Sequence, residues 1–524
     1  MDRITQTIYQ AMSYRLRAIE KYATKAESIQ AEQLNRLIGR FNRTRYGEQF
    51  ALPECAGYTE WQRQVPIVAY EDIRKHVEEM TRGQENELVP GSCLRFAVSS
   101  GTSGGRSKYI PVNSLHLNKC HFRGASDTLW LYLSTRPDSR FFRTKGLVLG
   151  GSQKPVALTS KVRVGDLSSI LVEKMPLLGN LSRVPKRSTL QMTEWNSKIE
   201  AIIHEVKDAN VGSLSGVPSW MLVLIKRLLE ATDKETLSEL WPNLEVFFHG
   251  GISFAPYREE YRRLIPSNRM QYRETYNASE GFFGIQDDPS DPALLLMLDY
   301  GVFYEFIPLD SLDNGSLEAI PLQAVETGKT YAMLISTLGG LYRYMIGDTV
   351  RFTSTNPYKI IIAGRTSAYI NAFGEELMVF NTDKAIEVVA KECGALVKEY
   401  TAAPCFLPQQ GKGRHEWVVE FSVQPDNLAY FAQRLDKELR KLNSDYDAKR
   451  YDDMTLLPLK LHVADTGLFE RYLSDTSRLG GQIKIPRLRN DRTIVDKLLS
   501  YGCTTEINPN EIAQGEISSS PRLV

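Results

Sequence analysis

The sequence has almost no excess of charge of either sign. Its 64 lysines and arginines nearly equal its 63 aspartates and glutamates, so the formal net charge is +1 over 524 residues. No basic run of five or more residues interrupts this balance. Proteins that bind nucleic acid concentrate Lys and Arg on one surface, so this composition gives no reason to expect such a partner.

Cysteine is scarce, with six residues scattered at positions 55, 93, 120, 393, 405 and 503 and no CxxC pair. This usage is typical of reduced thiols in a cytosolic protein rather than of a disulfide scaffold or a zinc site. The seven histidines also lack metal-ligand spacing; His116 and His121 share a predicted helix but are five residues apart. Five residues is a poor spacing for a common ion.

Long apolar runs are missing as well. The longest, Trp220 to Ile225, has six residues, whereas a membrane span needs about 18. The first 28 residues are polar and charged throughout, unlike the apolar segment of a signal peptide. We therefore expect a soluble cytoplasmic protein without a membrane span.

What the sequence does contain is a loop rich in Ser, Thr and Gly between Phe96 and Pro111. Six such residues run from Ser99 to Gly104, after a strand pattern at Leu94, Phe96 and Val98. Its glycines allow several N–H groups to face one anion, which predicts a phosphate-binding loop. A Walker loop is excluded because Tyr109 follows Lys108 where a magnesium-binding hydroxyl is required. A flexible surface loop is the alternative.

The order of predicted elements indicates an α/β protein. Apolar positions from Ile4 to Ile19 predict an amphipathic helix in the first forty residues, and Asn113 is a candidate N-cap for a helix that ends near Ser134. Up to Gly251, apolar strands alternate with helices, which favours a largely parallel sheet. Short strands then follow closely as far as Ala363 and predict a second sheet or a small barrel.

From Thr382 the pattern is helix, two strands, helix, strand and helix, a compact α+β unit of about 150 residues. We predict an N-terminal domain over residues 1–364, a hinge over 365–376 and a C-terminal domain over 377–524. Glycines at 364 and 374 favour a hinge between the domains, and a plain linker is the alternative.

Three further segments place polar or small residues beside strands: the first two follow strand ends, where open α/β sheets bind ligands, and the third leads into the start of a strand. They are Phe247 to Gly251, which ends in Gly250 and Gly251; Tyr276 to Gly281, which includes Ser279 and Glu280; and Tyr342 to Asp348. The glycines allow a flat purine to approach the backbone, Glu280 could hold Mg²⁺, and Asp348 could accept bonds from ribose hydroxyls. Taken singly, each segment could equally be a turn without a ligand.

Taken in order, these segments resemble the core motifs of the adenylate-forming enzymes, and most closely those of the GH3 family of acyl acid amido synthetases. The resemblance includes the SSGTS loop, the ASE element, the LYRYMIGD run and the late QIKIPR segment, and it spans nearly the whole chain. It implies the adenylate-forming fold, with a large N-terminal domain that includes a small barrel-like β part and a mobile C-terminal domain.

The resemblance also implies roles for individual residues. Ser99, Ser100, Gly101, Thr102 and Ser103 would hold the ATP phosphates. Gly250 and Gly251 would line the adenine pocket, Tyr276 would stack on the base, and Asp348 and Arg365 would take the ribose hydroxyls. Ser279 would be a further ATP-binding residue. Glu280 would bind Mg²⁺ and act in catalysis. Lys484 would be the mobile catalytic lysine that reaches the α-phosphate and the acyl carboxylate, with Lys384 as a competing candidate.

The implied reaction activates a carboxylic acid with ATP and Mg²⁺, releases pyrophosphate and transfers the acyl group to an amino acid or another amine. Arg123, Trp220 and Met221 are candidate residues of the acyl pocket, although Trp220 and Met221 occupy positions that are more often core. The alternatives are an acyl-CoA ligase, which uses coenzyme A as acceptor, and a binding protein that has lost catalysis. The presence of Glu280, Asp348 and Lys484 argues against the binding protein.

Overall fold

The structure is a computed structural model of the chain. It describes residues 1–50, 52–53, 56–99, 108–150, 156–192, 194–251, 254–313, 316–365, 369–370, 372–373, 375, 377–407, 412–450, 456–475, 485–489 and 491–507. These residues divide into two compact units. The first contains those of Met1–Phe254 and Tyr261–Ile362; the second contains Ala255–Glu260 and almost everything described from Ala363 onwards.

The α-helices, in chain order, are α1 Arg3–Met12, α2 Tyr14–Glu20, α3 Tyr22–Phe41, α4 Tyr58–Gln64, α5 Tyr70–Thr81, α6 Ser114–His116, α7 Phe122–Ser134, α8 Leu167–Lys174, α9 Leu177–Ser182, α10 Arg187–Leu190, α11 Trp195–Val206, α12 Pro218–Thr232, α13 Leu237–Leu240, α14 Arg258–Leu264, α15 Leu309–Asp313, α16 Val379–Glu392, α17 Leu428–Leu442, α18 Ser444–Lys449, α19 Leu468–Asp475 and α20 Thr493–Ser500. A π-helical turn, Leu117–His121, joins α6 to α7.

The strands are β1 Arg95–Ser99, β2 Lys108–Pro111, β3 Lys145–Val148, β4 Val156–Ala157, β5 Arg163–Gly165, β6 Arg183–Val184, β7 Val211–Gly216, β8 Val246–Gly250, β9 Gln271–Ala278, β10 Gly281–Ile285, β11 Leu294–Leu296, β12 Val302–Pro308, β13 Ile320–Pro321, β14 Thr330–Thr337, β15 Tyr344–Thr355, β16 Tyr358–Arg365, β17 Tyr369–Ile370, β18 Leu377–Met378, β19 Leu396–Leu407, β20 Lys412–Val423, β21 Lys460–Ala464 and β22 Cys503–Ile507.

The parallel sheet predicted for the first unit is present. Strands β6, β3, β7, β8 and β9 are neighbours in that order and pair in parallel. Helices α11 and α12 flank β7 along the chain, as expected where parallel strands need a crossover helix. Asn113 is also confirmed as the cap before α6, because its side-chain oxygen accepts from the His116 N–H.

The later strands continue this same sheet instead of starting a separate one. The full order is β13-β12-β14-β15-β16-β11-β10-β9-β8-β7-β3-β6. Strands β10 and β12 are five positions apart in this order, which is about 24 Å in a flat sheet. Their Phe283 and Tyr304 rings nevertheless lie 6.3 Å apart. The antiparallel half is therefore strongly curled, which agrees with the barrel-like part expected from the sequence.

The N-terminal helices are held by a buried ion network that the sequence does not reveal. The helix predicted for the first forty residues is divided into α1, α2 and α3, and Ile4 is exposed. Arg15 of α2 contacts the carboxylates of Asp127 and Asp299, and Tyr22 donates to Asp299. The network ties the helices to α7 and to the segment before β12.

A second buried ion pair anchors the LYRYMIGD segment. Arg343 and Glu305 are nearly inaccessible, and Arg343 Nη2 lies 2.9 Å from Glu305 Oε1. Arg343 Nη1 donates to the carbonyls of Gln62 and Val65, at 2.9 and 2.7 Å. Arg343 therefore links the start of β15 to the end of α4 and to the residue that follows α4.

Replacing Arg343 with Met is expected to destabilise the first unit by about 3–5 kcal/mol, because it leaves the Glu305 carboxylate buried without its counter-charge. Urea unfolding of the single variant measures this loss. A double variant that also carries Glu305→Leu should recover part of it. Lys329→Met, which breaks the exposed pair with Glu326, is the control and should leave the midpoint unchanged. Equal midpoints for Arg343→Met and Lys329→Met would contradict the anchoring role.

The second unit has the predicted α+β order. Strands β19, β20, β21 and β22 form one sheet, and α16 and α17 pack against each other. The predicted hinge segment contributes a short antiparallel pair, in which Tyr369 and Ile370 face Met378 and Leu377. Glu375, just before β18, forms a fully buried pair with His415 of β20, at 2.7 Å. Burial raises the pKa of Glu375, but the hydrogen bond and the charge interaction with His415, together with backbone hydrogen bonds, hold it below the usual value.

Among the described residues, no helix combines the length and the apolar character that crossing a bilayer requires. Cys93, Cys120, Cys393 and Cys405 are free thiols.

Candidate active site

Two of the predicted ligand-binding residues, Gly250 and Tyr276, lie at one edge of the large sheet. Strands β3, β7, β8 and β9 are parallel neighbours, so their carboxyl ends meet at this edge. Gly250 is the last residue of β8, and Tyr276 lies near the end of β9. Ligands of open α/β sheets bind at such edges, which makes this the candidate site.

The backbone at Gly250 leaves no room for a side chain. A Cβ at this position would lie 2.4 Å from the Thr275 carbonyl oxygen and 3.0 Å from its Oγ1. Gly251 has φ +86°, which L side chains rarely adopt. Strand β8 extends through His249, whose buried ring stacks on Phe254 at 4.3 Å. His249 therefore lies within the strand.

Gly250→Ala is expected to lower both stability and ATP affinity, because the new methyl group must push β8 away from β9. Overpacking of this kind costs about 1–3 kcal/mol, which corresponds to a fall in Tm of several degrees. Gly39→Ala is the matched control, since nothing lies within 4 Å of a Cβ built there. Scanning calorimetry with and without ATP measures both effects. An unchanged Tm and unchanged ATP binding in Gly250→Ala would show that the close approach is unimportant.

Tyr276 and Asp348, which are 72 residues apart in sequence, meet in the structure. The Tyr276 hydroxyl donates to Asp348 Oδ2 at 2.6 Å, and both side chains are buried. The Tyr276 ring also contacts Phe283 edge to face, at 5.0 Å. Their strands, β9 and β15, are four positions apart in the sheet, so the curl of the sheet brings them together.

The sequence predicts Asp348 at the start of a strand. In the structure Asp348 lies inside β15. Met345 pairs with Leu334 and Thr349 with Ala332, so three residues of β15 face one residue of β14. Gly347 has φ +88° within this bulge. Bulges re-aim side chains near ligand sites, and here the bulge accompanies the contact between Asp348 and Tyr276.

Glu280 occupies a tight turn between β9 and β10. Ala278 pairs with Gly281, so Ser279 and Glu280 form the two-residue connection. Glu280 is only 7% exposed, and its carbonyl oxygen lies 3.0 Å from His116 Nε2. The predicted ASE element is therefore the end of strand β9 and the hairpin turn that follows it.

The predicted phosphate loop connects the two strands of a hairpin. Ser99 of β1 faces Lys108 of β2, and the loop between them, with Ser100, Gly101, Thr102 and Ser103, lies outside the described residues, as does the Ser99 side chain. Tyr70 supports the exit of the loop: its hydroxyl accepts from the Tyr109 N–H at 2.8 Å, and its ring lies 5.7 Å from Lys108 Nζ. Strand β2 was not predicted.

The three predicted acyl-pocket residues have different environments. Arg123 of α7 donates to the Asp299 carbonyl oxygen at 3.1 Å and keeps about a third of its side chain exposed. Met221 of α12 is fully buried, whereas Trp220 beside it is half-buried. The structure thus places Met221 in the core and leaves Trp220 with an accessible surface.

A buried lysine near the same sheet edge was not identified from the sequence. Lys198 of α11 is inaccessible, and its Nζ donates to the Gly150 carbonyl oxygen at 3.2 Å, just beyond β3. Burial lowers the pKa of Lys198 to about 8, against the opposing charge of Asp166. A lone lysine in an amphipathic helix pattern gives no signal for this placement, because it depends on the packing of α11 against the sheet.

The side chains of two predicted basic site residues lie outside the described part of the structure. Lys484 lies outside the described residues, and so does the side chain of Arg365, the last residue of β16. Lys384, the competing candidate, is an exposed residue of α16 that pairs with Glu387 at 2.8 Å. That environment fits the ordinary surface lysine that a helix of this kind carries.

The segment that follows Lys484 is firmly attached to the second unit. The Ala402 N–H donates to the Arg487 carbonyl oxygen at 2.8 Å, and the Thr401 hydroxyl donates to Pro486. Arg487 Nη1 lies 2.8 Å from Glu399, and its guanidinium covers the Tyr400 ring. Residues Ile485 to Arg489 therefore lie along β19.

Three models of one protein family match this chain. The GH3 family N-terminal domain matches residues 15–270, the GH3 family central domain matches 295–365, and the GH3 family C-terminal domain matches 380–493. The chain belongs to the GH3 family. The order of the three matches agrees with the order of the motifs, and the GH3 central domain includes both the LYRYMIGD segment and the start of the predicted hinge.

Individual GH3 relatives are similar over almost the full length. An indole-3-acetic acid-amido synthetase of Arabidopsis thaliana, GH3.4, is 23% identical, with 94% of each chain covered. The solved structure of the GH3.15 acyl acid amido synthetase matches with a TM-score of 0.77 at 19% identity, over 94% of this chain and 96% of that one. A 2-hydroxyisobutyryl-CoA ligase in its postadenylation state shares the fold more distantly, with a TM-score of 0.54 at 12% identity and 93% coverage of both chains.

Proposed function

We propose that this protein is an ATP-dependent ligase that activates a carboxylic acid as an acyl-adenylate and transfers the acyl group to an amino acid or another amine. The observation that carries the proposal is the presence of all three GH3 domains in order, around a site where Tyr276 contacts Asp348. Two residues assigned to one nucleotide from separate motifs thus lie together in the folded chain.

In the first step, a carboxylate oxygen of the acid attacks the α-phosphorus of ATP. A bond forms between them, the bond from the α-phosphorus to the bridging oxygen breaks, and pyrophosphate leaves. Two anions must meet, so rate acceleration comes from positioning and from positive charge around the transferring phosphoryl group. This chemistry needs no protein nucleophile.

The chain supplies this positioning through groups from both proposed domains. The hydroxyl-rich loop from Ser99 to Ser103 takes the phosphates, Gly250 and Gly251 admit the adenine, and Tyr276 and Ser279 lie beside the base. Asp348 and Arg365 take the ribose hydroxyls. Lys484 supplies a cation to the α-phosphate and the acyl carboxylate.

The single carboxylate of Glu280 fits Mg²⁺ bound together with ATP phosphates. Magnesium in such sites uses one or two carboxylates, and phosphate oxygens and water complete its shell. Among the described residues no group of three or more metal-ligating side chains occurs, which is consistent with an ion shared with the substrate. The bound ion would neutralise phosphate charge, and the role of Glu280 is to hold it beside β9.

In the second step, the amine nitrogen attacks the acyl carbon of the adenylate. The new C–N bond forms, the C–O bond to AMP breaks, and the amine loses a proton. We place Arg123, Trp220 and Met221 around the acyl group; Arg123 and Trp220 both keep accessible surface, whereas Met221 is buried in the core.

The proposal also includes a mobile C-terminal domain that begins at 377, with its hinge at 365–376. The division of the chain into two units, with a boundary between Ile362 and Ala363, supports this arrangement. A cytoplasmic location stays a prediction of the sequence.

Acid-dependent exchange of labelled pyrophosphate into ATP tests the adenylation step. The purified protein is incubated with ATP, Mg²⁺ and a panel of carboxylic acids that includes aryl, indolyl and aliphatic members. Exchange that depends on one class of acid is the expected result. Absence of exchange with every acid, in a protein that still binds ATP, would favour the alternative of a binding protein.

A further inference from the structure

The turn that carries Glu280 is held by one face of the helical segment that follows the phosphate hairpin. His116, Cys120 and Gly124 recur every four residues along α6, the π-helical turn and α7. All three contact the segment from Glu280 to Phe282. No sequence motif assigns a role to these three residues, and the proposed mechanism does not use them.

His116 makes the polar contact that matters most for this turn. Its side chain is completely buried, and its Nε2 lies 3.0 Å from the Glu280 carbonyl oxygen. A carbonyl can only accept, so Nε2 carries the proton and donates it. Burial lowers the pKa of His116 to about 4, with the hydrogen bond to Glu280 as an opposing effect, so the ring is neutral at physiological pH.

Cys120 and Gly124 fix the residues that follow the turn. The Phe282 N–H donates to Cys120 Sγ at 3.2 Å. A Cβ at Gly124 would lie only 2.4 Å from the Phe282 ring, so the helix and β10 are in direct contact. A π-helical turn inside a helix is rare and often occurs at functional sites, and here it lies at this contact.

The backbone of His116 is held by hydrogen bonds of Asn113. The Asn113 side chain accepts from the His116 N–H at 2.9 Å and donates to the Leu338 carbonyl oxygen at 2.6 Å. The hydrogen bonds therefore connect the segment before β15 to Asn113, then to His116, and finally to the Glu280 turn.

We propose that His116 is a positioning residue for Glu280: its Nε2–H bond to the Glu280 carbonyl sets the turn in the orientation that binds Mg²⁺ with nucleotide. The inference rests on the proposed function, in which Glu280 takes that ion. A buried turn carbonyl without a partner would favour other conformations of the turn, and only some of these direct the carboxylate correctly.

The test compares four variants of the full chain: His116→Gln, His116→Phe, His116→Asn and His121→Phe. A Gln amide can place a donor near the position of Nε2, whereas Phe has no donor and Asn is too short to reach. His121 is the matched control, because it is equally buried and its ring lies 5.0 Å from that of His116. The probe is α,β-methylene-ATP, whose binding is measured by calorimetry over a range of Mg²⁺ concentrations.

We expect His116→Phe and His116→Asn to weaken Mg²⁺-dependent binding by about tenfold, the size of one hydrogen bond. His116→Gln should recover most of this affinity, and His121→Phe should bind like the wild type. The Tm of each variant without nucleotide shows whether that variant is folded. If His116→Phe does not fold, His116→Asn still provides the comparison with the wild type.

Equal affinities in wild type, His116→Phe and His116→Asn would overturn the inference, and so would failure of Gln to restore binding in a folded protein. Failure of the proposed function looks different. In that case, the wild type itself shows neither Mg²⁺-dependent binding of the probe nor acid-dependent pyrophosphate exchange.

Discussion

Glu280→Gln is expected to reduce acid-dependent pyrophosphate release by about 10²–10³-fold, the usual effect of removing one preorganised electrostatic group. The substitution keeps the size of the side chain and removes its negative charge, so the turn between β9 and β10 should remain folded. Mg²⁺ prefers charged, hard oxygen ligands, and a neutral amide binds it poorly. The measurement is the initial rate over a range of Mg²⁺ concentrations.

The control for this variant is Asp288→Asn, which removes one carboxylate from an exposed position after β10. Its rate and its Mg²⁺ dependence should match those of the wild type. If Glu280→Gln kept the wild-type rate at all Mg²⁺ concentrations, Glu280 would have no part in the mechanism. A large fall in Tm would instead assign the loss to folding.

Lys484→Met should have a comparably large effect, but on the first step alone. The family resemblance gives Lys484 the cation at the α-phosphate, where negative charge accumulates in the transition state. We expect pyrophosphate release to fall by about 10²–10³-fold. Amide formation from a chemically prepared acyl-adenylate should stay near the wild-type rate, since that step does not attack phosphorus.

Lys384→Met separates the two lysine candidates. Lys384 is exposed and pairs with Glu387, so its loss should leave both steps unchanged. The opposite pattern, with an inactive Lys384 variant and an active Lys484 variant, would show that Lys384 holds the catalytic position. Equal loss of both half-reactions in Lys484→Met would contradict its assignment to adenylation.

The hydrophobic pattern predicts the element types well, because helix and strand periods depend on local sequence. The alternation of strands and helices predicted up to Gly251 is present, with α12, Pro218–Thr232, between β7 and β8, and it agrees with the parallel pairing of β3, β7 and β8. The continuation of one sheet into the antiparallel half could not be predicted. It depends on the tight turn at Glu280, which joins β10 to β9.

The candidate site was only partly predictable for a similar reason. Motif order indicates that Tyr276 and Asp348 serve one nucleotide, and the structure brings the two side chains within hydrogen-bonding distance. The bulge that accompanies this contact has only Gly347 as a sequence signal. The contacts of Arg343 with Glu305 and of His116 with Glu280 join residues 38 and 164 positions apart. Nothing in a single sequence relates such distant positions.

Histidine illustrates the difference between pattern and packing. The five-residue spacing of His116 and His121 predicts no shared metal ion. In the structure their rings meet edge to face at 5.0 Å, and His116 bonds to a carbonyl oxygen. The spacing argument excludes a shared ion, but only the fold shows which backbone group His116 contacts.

The most direct test of the proposed function identifies the product by mass spectrometry. The protein is supplied with ATP, Mg²⁺ and an acid that supports pyrophosphate exchange, and an equimolar mixture of amino acids and coenzyme A is offered as acceptor. We predict an acyl-amino acid amide and AMP in equal amounts, with no acyl-CoA. A thioester as the product would contradict the assignment as an amido synthetase and would make the protein an acyl-CoA ligase.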